Sequence, residues 1–257
     1  MNLRLRYSDG MGSDPSLDPK LGAAKRLIDF SLKSAVPALV ADVSPGSSDI
    51  HNGTATLLRL NNRKFAVTCC HVVSAYRELH QVGRNVTFQL GNIKLDPISQ
   101  LVAENFESDL AVLELSDSQS AWVMDKKVFC CPATWPPAPL RTQEALAISG
   151  YPGDWRERLT HRVLDFSGYS MVCNPSSLSD TKIGCNINRD GWLGNLDLNG
   201  HLDAKALGGM SGGPAFVDRR PEPELAGIIY EYGPGFDIML LRPSRMIQAD
   251  GSLTCVR

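Results

Sequence analysis

Ser211 stands in the run Gly208-Gly209-Met210-Ser211-Gly212-Gly213-Pro214. Few folds need a serine among so many residues without a Cβ. Such a segment can bend tightly, expose the hydroxyl and turn backbone N–H groups toward one point beside it. The chemistry on offer is a nucleophile with an adjoining oxyanion site, although a Gly-rich turn carrying a serine is ordinarily only a turn. Two upstream segments add what a lone hydroxyl lacks. In Phe65-Ala66-Val67-Thr68-Cys69-Cys70-His71-Val72-Val73 an apolar, strand-like run is broken abruptly by His71, and in Glu107-Ser108-Asp109-Leu110-Ala111-Val112-Leu113-Glu114-Leu115 the carboxylate of Asp109 opens an alternating strand. Taken singly, the histidine reads as a satisfied core residue and the aspartate as a turn former. Together, in the order His71, Asp109, Ser211, they give a base, an orienter and a nucleophile on separate elements that a fold can converge.

On these segments the chain resembles the serine peptidases of the trypsin/chymotrypsin family, nearer the bacterial branch that includes the glutamyl endopeptidases. The family carries a Thr-Ala-Ala-His-like histidine segment, an Asp-Leu-Ala-like aspartate segment and a Gly-x-Ser-Gly-Gly-Pro serine segment. Thr68-Cys69-Cys70-His71, Asp109-Leu110-Ala111 and Gly209-Met210-Ser211-Gly212-Gly213-Pro214 match them in that order. Gly53-Thr54-Ala55-Thr56-Leu57-Leu58 and Gly150-Tyr151-Pro152-Gly153 are weaker matches to the same template, so the resemblance spans residues 36 to 245. It implies an all-β fold of two antiparallel six-stranded β-barrels with the active site in the cleft between them.

The resemblance also implies roles. His71 would take the Ser211 proton and return it to the leaving amine, Asp109 would hold the imidazole, and the N–H groups of Gly209 and Ser211 would form the oxyanion hole. Substrate backbone would pair with the edge strand Gly227-Ile228-Ile229-Tyr230-Glu231-Tyr232-Gly233, which makes Tyr230, Glu231 and Tyr232 substrate-binding candidates. Lys205, six residues before the serine, takes the place of the main pocket's floor. It could attract an acidic substrate residue, but Asp203 nearby could neutralise it, and an exposed lysine is ordinarily just solvated. The lack of an acidic residue at 205 argues against a Lys/Arg preference. Met210 departs from the pattern of the secreted zymogens, which carry an aspartate there to pair with a newly cleaved N-terminus; methionine cannot make that pair.

Composition narrows the classes. A net charge of −2 and the lack of any basic block argue against a general nucleic-acid binder. No apolar run approaches the roughly 20 residues of a membrane span, and the first ten residues have no apolar core of signal-peptide length. Seven cysteines, including the adjacent pairs Cys69-Cys70 and Cys130-Cys131, make a poor disulfide framework. The chain is therefore read as soluble and cytoplasmic, with Cys69 and Cys70 as small apolar fillers. A metal on Cys69, Cys70 and His71 is disfavoured because neighbouring strand residues point to opposite faces. Neither a metal nor a cofactor is called for.

The organisation expected is an N-terminal extension over 1–35, a first barrel over 36–120 with His71 and Asp109, an interlobe linker over 121–141 and a second barrel over 142–257 with Ser211. Residues 1–17 look loose. Asp18-Pro19 then cap and start a helix in which Leu21, Ala24, Leu27, Ile28 and Leu32 recur at helical spacing. That helix packs on the barrel or, as a sharper reading, receives a regulatory protein partner. The first barrel's strands are expected at 38–43, 54–60, 65–68, 86–90 and 110–115, with a short helix over 72–81. The second set is expected at 144–149, 158–167, 170–173, 213–217, 226–231 and 238–241. The polar stretch 174–201 reads as a lid, a regulatory segment or plain surface hairpins holding Trp192 and Leu196. His51, His80, His161 and His201 have no partner pattern.

The function expected is a serine endopeptidase acting on protein or peptide substrates through an acyl-enzyme. Two rivals stand beside it: a catalytically idle or regulated trypsin-fold scaffold that binds protein, and a thiol hydrolase using Cys69 or Cys70.

Overall fold

Runs such as Ala35–Asp42 and Leu110–Leu115 are apolar on nearly every position because both of their faces are buried, a pattern that a one-sided sheet does not need. The computed structural model describes residues 2–5, 19–44, 47, 49–123, 127–160, 163–187 and 207–254. The chain opens with β1 (Asn2–Leu5) and helix α1 (Pro19–Lys33). A first antiparallel sheet follows, built from β2 (Ala35–Asp42), β3 (Ile50–Leu60), β4 (Arg63–Thr68), β5 (Val86–Leu90), β6 (Ile93–Leu95), β7 (Leu101–Asn105) and β8 (Leu110–Leu115). Helix α2 (Cys70–Gln81) leaves the end of β4, and α3 (Asp117–Trp122) leaves β8 through a capping box formed by Ser116 and Gln119.

The C-terminal half supplies β9 (Leu146–Gly150), β10 (Arg156–Thr160), β11 (Val163–Phe166), β12 (Tyr169–Cys173), β13 (Pro175–Leu178), β14 (Ile183–Asn186), β15 (Pro214–Arg219), β16 (Glu222–Gly233) and β17 (Ile238–Pro243). The sheet orders are β6-β5-β2-β3-β4-β8-β7 and β12-β9-β15-β16-β17-β14-β13, while β1, β11 and β10 form a small third sheet. The molecule is thus mostly β, two curled antiparallel sheets of the chymotrypsin-like kind behind a short helix. Each sheet has seven strands, not the six expected. The strands not expected are short or one-sided: β6 and β7 flank the first sheet, β14 has four residues, and β13 exposes Ser176, Ser177 and Leu178. The expected strand at 158–167 is instead the β10–β11 hairpin of the small third sheet. Nor is the N-terminal stretch loose throughout, because β1 pairs in parallel with β11.

Alternate residues divide between two interiors. On β4, Ala66 packs with Leu57, Phe88, Leu90 and Leu113 inside the first lobe, whereas Phe65 and Val67 face a shared layer with Leu58, Leu110 and Val112. From the second lobe Ala147, Phe216, Leu225 and Ile228 enter that same layer, and Leu146, Ile148, Ala215 and Val217 turn inward to a third cluster. This shared layer fixes the two sheets against each other. Helix α1 closes it from outside: Leu27 is buried there, Phe30 meets Phe216 edge-on at 5.0 Å, and the Ser31 hydroxyl donates to the Ala147 carbonyl at 3.3 Å. Between the lobes, Cys130 bridges to Leu58 and the Trp135 indole N–H donates to the Ile247 carbonyl at 2.8 Å. Among the described residues no helix is long and apolar enough to cross a membrane.

Lys127 joins this seam to α1. Its ammonium donates to the Leu32 carbonyl at 2.8 Å, pairs with the Tyr151 hydroxyl and lies 5.0 Å over the Tyr151 ring. Burial pushes it down from the usual 10.5 to about 7. Between those values the unfolded chain binds a proton that the folded chain does not, so stability rises with pH across the window by up to about 1.4 kcal/mol per unit. Urea unfolding at a series of pH values should show this slope, and Lys127→Met should flatten it. Equal slopes in the two proteins would refute the assignment.

Candidate functional site

Each of the three candidate side chains comes from a place where a regular element starts or stops. His71 is the second residue of α2, just inside the helix rather than at the end of the preceding strand. Asp109 closes the β7–β8 turn with φ +54, a left-handed conformation that aspartate tolerates better than most residues. That conformation lets the carboxylate grip the histidine twice. Oδ1 accepts the His71 backbone N–H at 3.0 Å and Oδ2 meets His71 Nδ1 at 2.7 Å, while the Asp109 carbonyl accepts the Cys70 N–H at 3.2 Å. The outer edge of the ring stays open, since the His71 side chain is 54% exposed against 24% for Asp109.

Ser211 arrives from the other sheet, on the turn before β15. Its hydroxyl donates to the Tyr230 carbonyl at 3.4 Å; among the described residues this is its one hydrogen bond. The turn is held by threonines of the first lobe. Thr54 donates its amide to the Ser211 carbonyl and its hydroxyl to the Gly209 carbonyl, both at 2.8 Å, and Thr56 donates its hydroxyl to the Gly212 carbonyl at 2.8 Å. The Gly212 N–H in turn donates to the Ile229 carbonyl at 2.7 Å. The Gly208 and Met210 carbonyls accept the N–H groups of Gly153 at 2.7 Å and Gly213 at 2.8 Å, and at the other ends of those two peptide units the N–H groups of Gly209 and Ser211 donate to no described partner.

Two glycines explain why the run is so depleted of side chains. A Cβ on Gly209, at φ +96, would stand 2.1 Å from Asn52 Nδ2 and 2.8 Å from the Tyr151 carbonyl. One on Gly212, at φ +93, would stand 1.9 Å from the Thr54 carbonyl. Asn52 is itself fixed, donating to the Tyr151 carbonyl at 3.3 Å and accepting from Arg156 at 3.0 Å. Met210 is fully buried in the second lobe's cluster, an apolar plug directly under the nucleophile turn.

The remaining expectations sort plainly. Tyr230 sits at a register break of β16, its ring 4.1 Å from the Arg242 guanidinium carbon; Glu231 is exposed; Tyr232 donates its hydroxyl to Asp237 at 2.6 Å. On one side Tyr232 and Gly233 pair with β17, while the register with β15 ends at Ile228, leaving the other edge of 230–233 without a strand among the described residues. Lys205, Asp203, His161, His201, Trp192 and Leu196 lie outside the described residues. Cys69, His71 and Asp109 have ligand-type atoms within 4.8 Å of one another, but the His71–Asp109 contact is already a direct hydrogen bond and the Cys69 thiol donates to the Ile229 carbonyl at 3.3 Å, so protein partners occupy these atoms. Thr56 and Asn52, which hold the turn, and Arg242, which touches Tyr230, were not singled out from sequence. The visible signals were a polar residue recurring within an apolar strand at Thr54 and Thr56, and a lone charge closing the apolar run Leu240-Leu241-Arg242.

Comparison with known proteins agrees with this architecture. A family model described as a trypsin-like peptidase domain matches residues 53–228, a span that holds His71, Asp109 and Ser211. The crystal structure of Deg5 superposes with a TM-score of 0.53 at 14% identity, covering 89% of this chain and 91% of that one. The active form of the Rv3671c protease from M. tuberculosis gives a TM-score of 0.50 at 15% identity, covering 93% and 90%. At such identities the likeness speaks for the fold. No curated protein matches the chain.

The glycine geometry predicts a sharp outcome. Gly212→Ala forces a Cβ against main chain in a left-handed conformation, and it should lower the unfolding free energy by about 1–3 kcal/mol or more, read as a drop in the urea midpoint. An unchanged midpoint would mean that the turn is not built this way.

Proposed function

The chain belongs to the family of trypsin-like peptidase domains, and from that premise we propose that it is a serine endopeptidase in which His71, Asp109 and Ser211 act as a triad. The observation that carries the reading is the double grip of Asp109 on His71, which fixes one tautomer and leaves Nε2 directed away from the carboxylate. For attack the Ser211 hydroxyl leaves the Tyr230 carbonyl and donates instead to Nε2. His71 then accepts the hydroxyl proton as Oγ attacks the scissile carbonyl carbon, and the carbonyl oxygen becomes an oxyanion received by the N–H groups of Gly209 and Ser211. As the C–N bond breaks, His71 passes its proton to the leaving amine, and an ester to Ser211 remains. Water, deprotonated by the same imidazole, hydrolyses that ester and restores the hydroxyl.

Supporting chemistry comes from the surroundings. The open edge at 230–233 suits an extended peptide that adds as a strand, with main-chain hydrogen bonds giving affinity. Lys205 is proposed as a pocket residue, with acidic side chains as one class it would draw. Because Met210 fills the second core with an apolar side chain, activity does not depend on burying a liberated α-amino group. The thiol alternative loses ground: burial, reinforced by Asp109, pushes the Cys69 thiol far up, and burial takes Cys70 to about 11, the reverse of what a thiolate nucleophile needs. Six free cysteines among the described residues, five of them buried, fit a reducing, cytoplasmic setting. A regulatory partner meeting α1 would contact its outer face, since Leu27 and Phe30 are taken up by the sheet.

One observation favours the idle or regulated scaffold as a second reading, namely that the Ser211 hydroxyl rests on Tyr230 rather than on His71. Labelling with a fluorophosphonate decides between them. The intact, uncleaved chain should take up one phosphonyl group, Ser211→Ala should abolish the uptake, and His71→Ala should slow it by about a thousandfold or more. Absence of labelling in the wild type selects the scaffold; labelling that survives Ser211→Ala points to another nucleophile.

A further inference from the structure

Arg242 sits on β17 of the second sheet, opposite Ile228, yet two of its three hydrogen bonds reach the first lobe. Nε donates to the Ser108 carbonyl at 2.8 Å and Nη2 to the Glu107 carbonyl at 2.9 Å, so one edge of the guanidinium clasps two consecutive peptide groups. The remaining nitrogen, Nη1, donates to the Thr181 carbonyl at 3.1 Å on the β13–β14 turn. The face of the group rests on the Tyr230 ring, with 4.1 Å from its carbon to the ring centre.

The position of those carbonyls matters. The Ser108 carbonyl belongs to the peptide that enters Asp109, and the Asp109 carbonyl belongs to the peptide that leaves it. Arg242 holds the first, and the Cys70 N–H holds the second at 3.2 Å. Both planes beside the Asp109 Cα are therefore fixed, and with them the unusual φ of +54 that turns the carboxylate onto His71. The stacked Tyr230 carries the carbonyl that receives the Ser211 hydroxyl. One side chain thus touches the loop of the orienter and the residue beside the nucleophile, which lie on different sheets.

We propose that Arg242 is a positioning residue that locks the Asp109 carboxylate against His71 and registers that pair to Ser211 across the two lobes. A planar, forked donor is needed for this task, because a single ammonium cannot clasp consecutive carbonyls and stack on a ring together. Among the described residues the titratable groups that feel its charge are Tyr230 and Cys69, with Asp109 and Glu231 acting on the same tyrosine, and a lysine in its place keeps the local charge. The kinetic part of the inference rests on the serine-peptidase reading; the geometric part does not.

The test is Arg242→Lys, measured by steady-state peptide hydrolysis over a pH series and by the strongly downfield proton resonance of the His71 Nδ1–H···Asp109 hydrogen bond. That resonance is identified by its loss in His71→Ala. In Arg242→Lys kcat should fall by roughly ten- to a hundredfold with KM within about twofold, as for a small misplacement of a catalytic group. The acid limb of kcat/KM should move to lower pH, because a loosened carboxylate stabilises the imidazolium less. The resonance should broaden or shift upfield. If kcat, the pH profile and the resonance all stay as in the wild type, whatever the melting temperature does, Arg242 is only a structural tie and the proposal is wrong. Should Arg242→Lys not fold, Tyr230→Leu removes the ring under the guanidinium while keeping an apolar side chain against the first core, and the resonance and the pH profile must shift in the same direction, or the proposal fails. Where the wild type neither hydrolyses peptide nor takes the phosphonate, the peptidase reading has failed, and the resonance in Arg242→Lys still decides the positioning role.

Discussion

Two buried threonines carry the constraint on which the rest depends. The Ser211 turn belongs to the second sheet and His71 follows a strand of the first, so the proposed site is only as accurate as the stitch between them. Thr54 supplies two of its bonds, to the carbonyls of Ser211 and Gly209, and Thr56 a third, to Gly212. Thr54 is held in its own right, its hydroxyl also accepting the Tyr151 N–H at 3.0 Å and its carbonyl accepting the Thr68 hydroxyl at 2.7 Å. These groups are buried, so a lost partner leaves a desolvated polar atom at a cost of about 1–3 kcal/mol each. The open N–H groups of Gly209 and Ser211 belong to two other peptide units of the turn, whose Gly208 and Met210 carbonyls are held by the N–H groups of Gly153 and Gly213.

The division of labour between apolar and polar contacts is clear from this. The shared layer of Leu58, Phe65, Val67, Phe216, Leu225 and Ile228 brings the sheets together without specifying a register finer than side-chain packing allows. Directional hydrogen bonds supply the finer register at the cleft itself, where a displacement of an ångström matters to chemistry. Asp109 is held in a left-handed conformation that a free chain would rarely choose, and Ser211 lies between Gly209 and Gly212, where neighbouring atoms leave no room for a Cβ. Neighbouring atoms, rather than local preference, hold them there.

The candidate residues His71, Asp109 and Ser211 stand out in sequence because each sits in a segment of distorted local composition. The glycines around Ser211 answer specific close approaches by Asn52, Tyr151 and Thr54, and the apolar run of β4 ends at Thr68, so that His71 falls in the first turn of α2. Main strands were legible too, since burial on both faces leaves a continuous apolar run. What sequence did not reveal was set by long-range pairing. β13 has one wetted face and little apolar signal, β6 and β7 are short flanking strands, and β1 is a strand only because β11 lies beside it. The role of Arg242 leaves no mark in sequence because its partners are main-chain carbonyls, which have no residue identity to read. Thr54 and Thr56 lie in a segment that matches the family template, but the turn they hold is 155 and 156 residues away in the chain.

A crystal structure of the protein treated with a peptide boronic acid tests the central claim most directly, since tetrahedral boron mimics the intermediate. The account predicts boron bonded to Ser211 Oγ, one boronate oxygen within hydrogen-bond distance of the Gly209 and Ser211 N–H groups, and His71 Nδ1 still bonded to Asp109. Boron attached to any other residue, or a bound boronate whose oxygens point away from those two N–H groups, would contradict it.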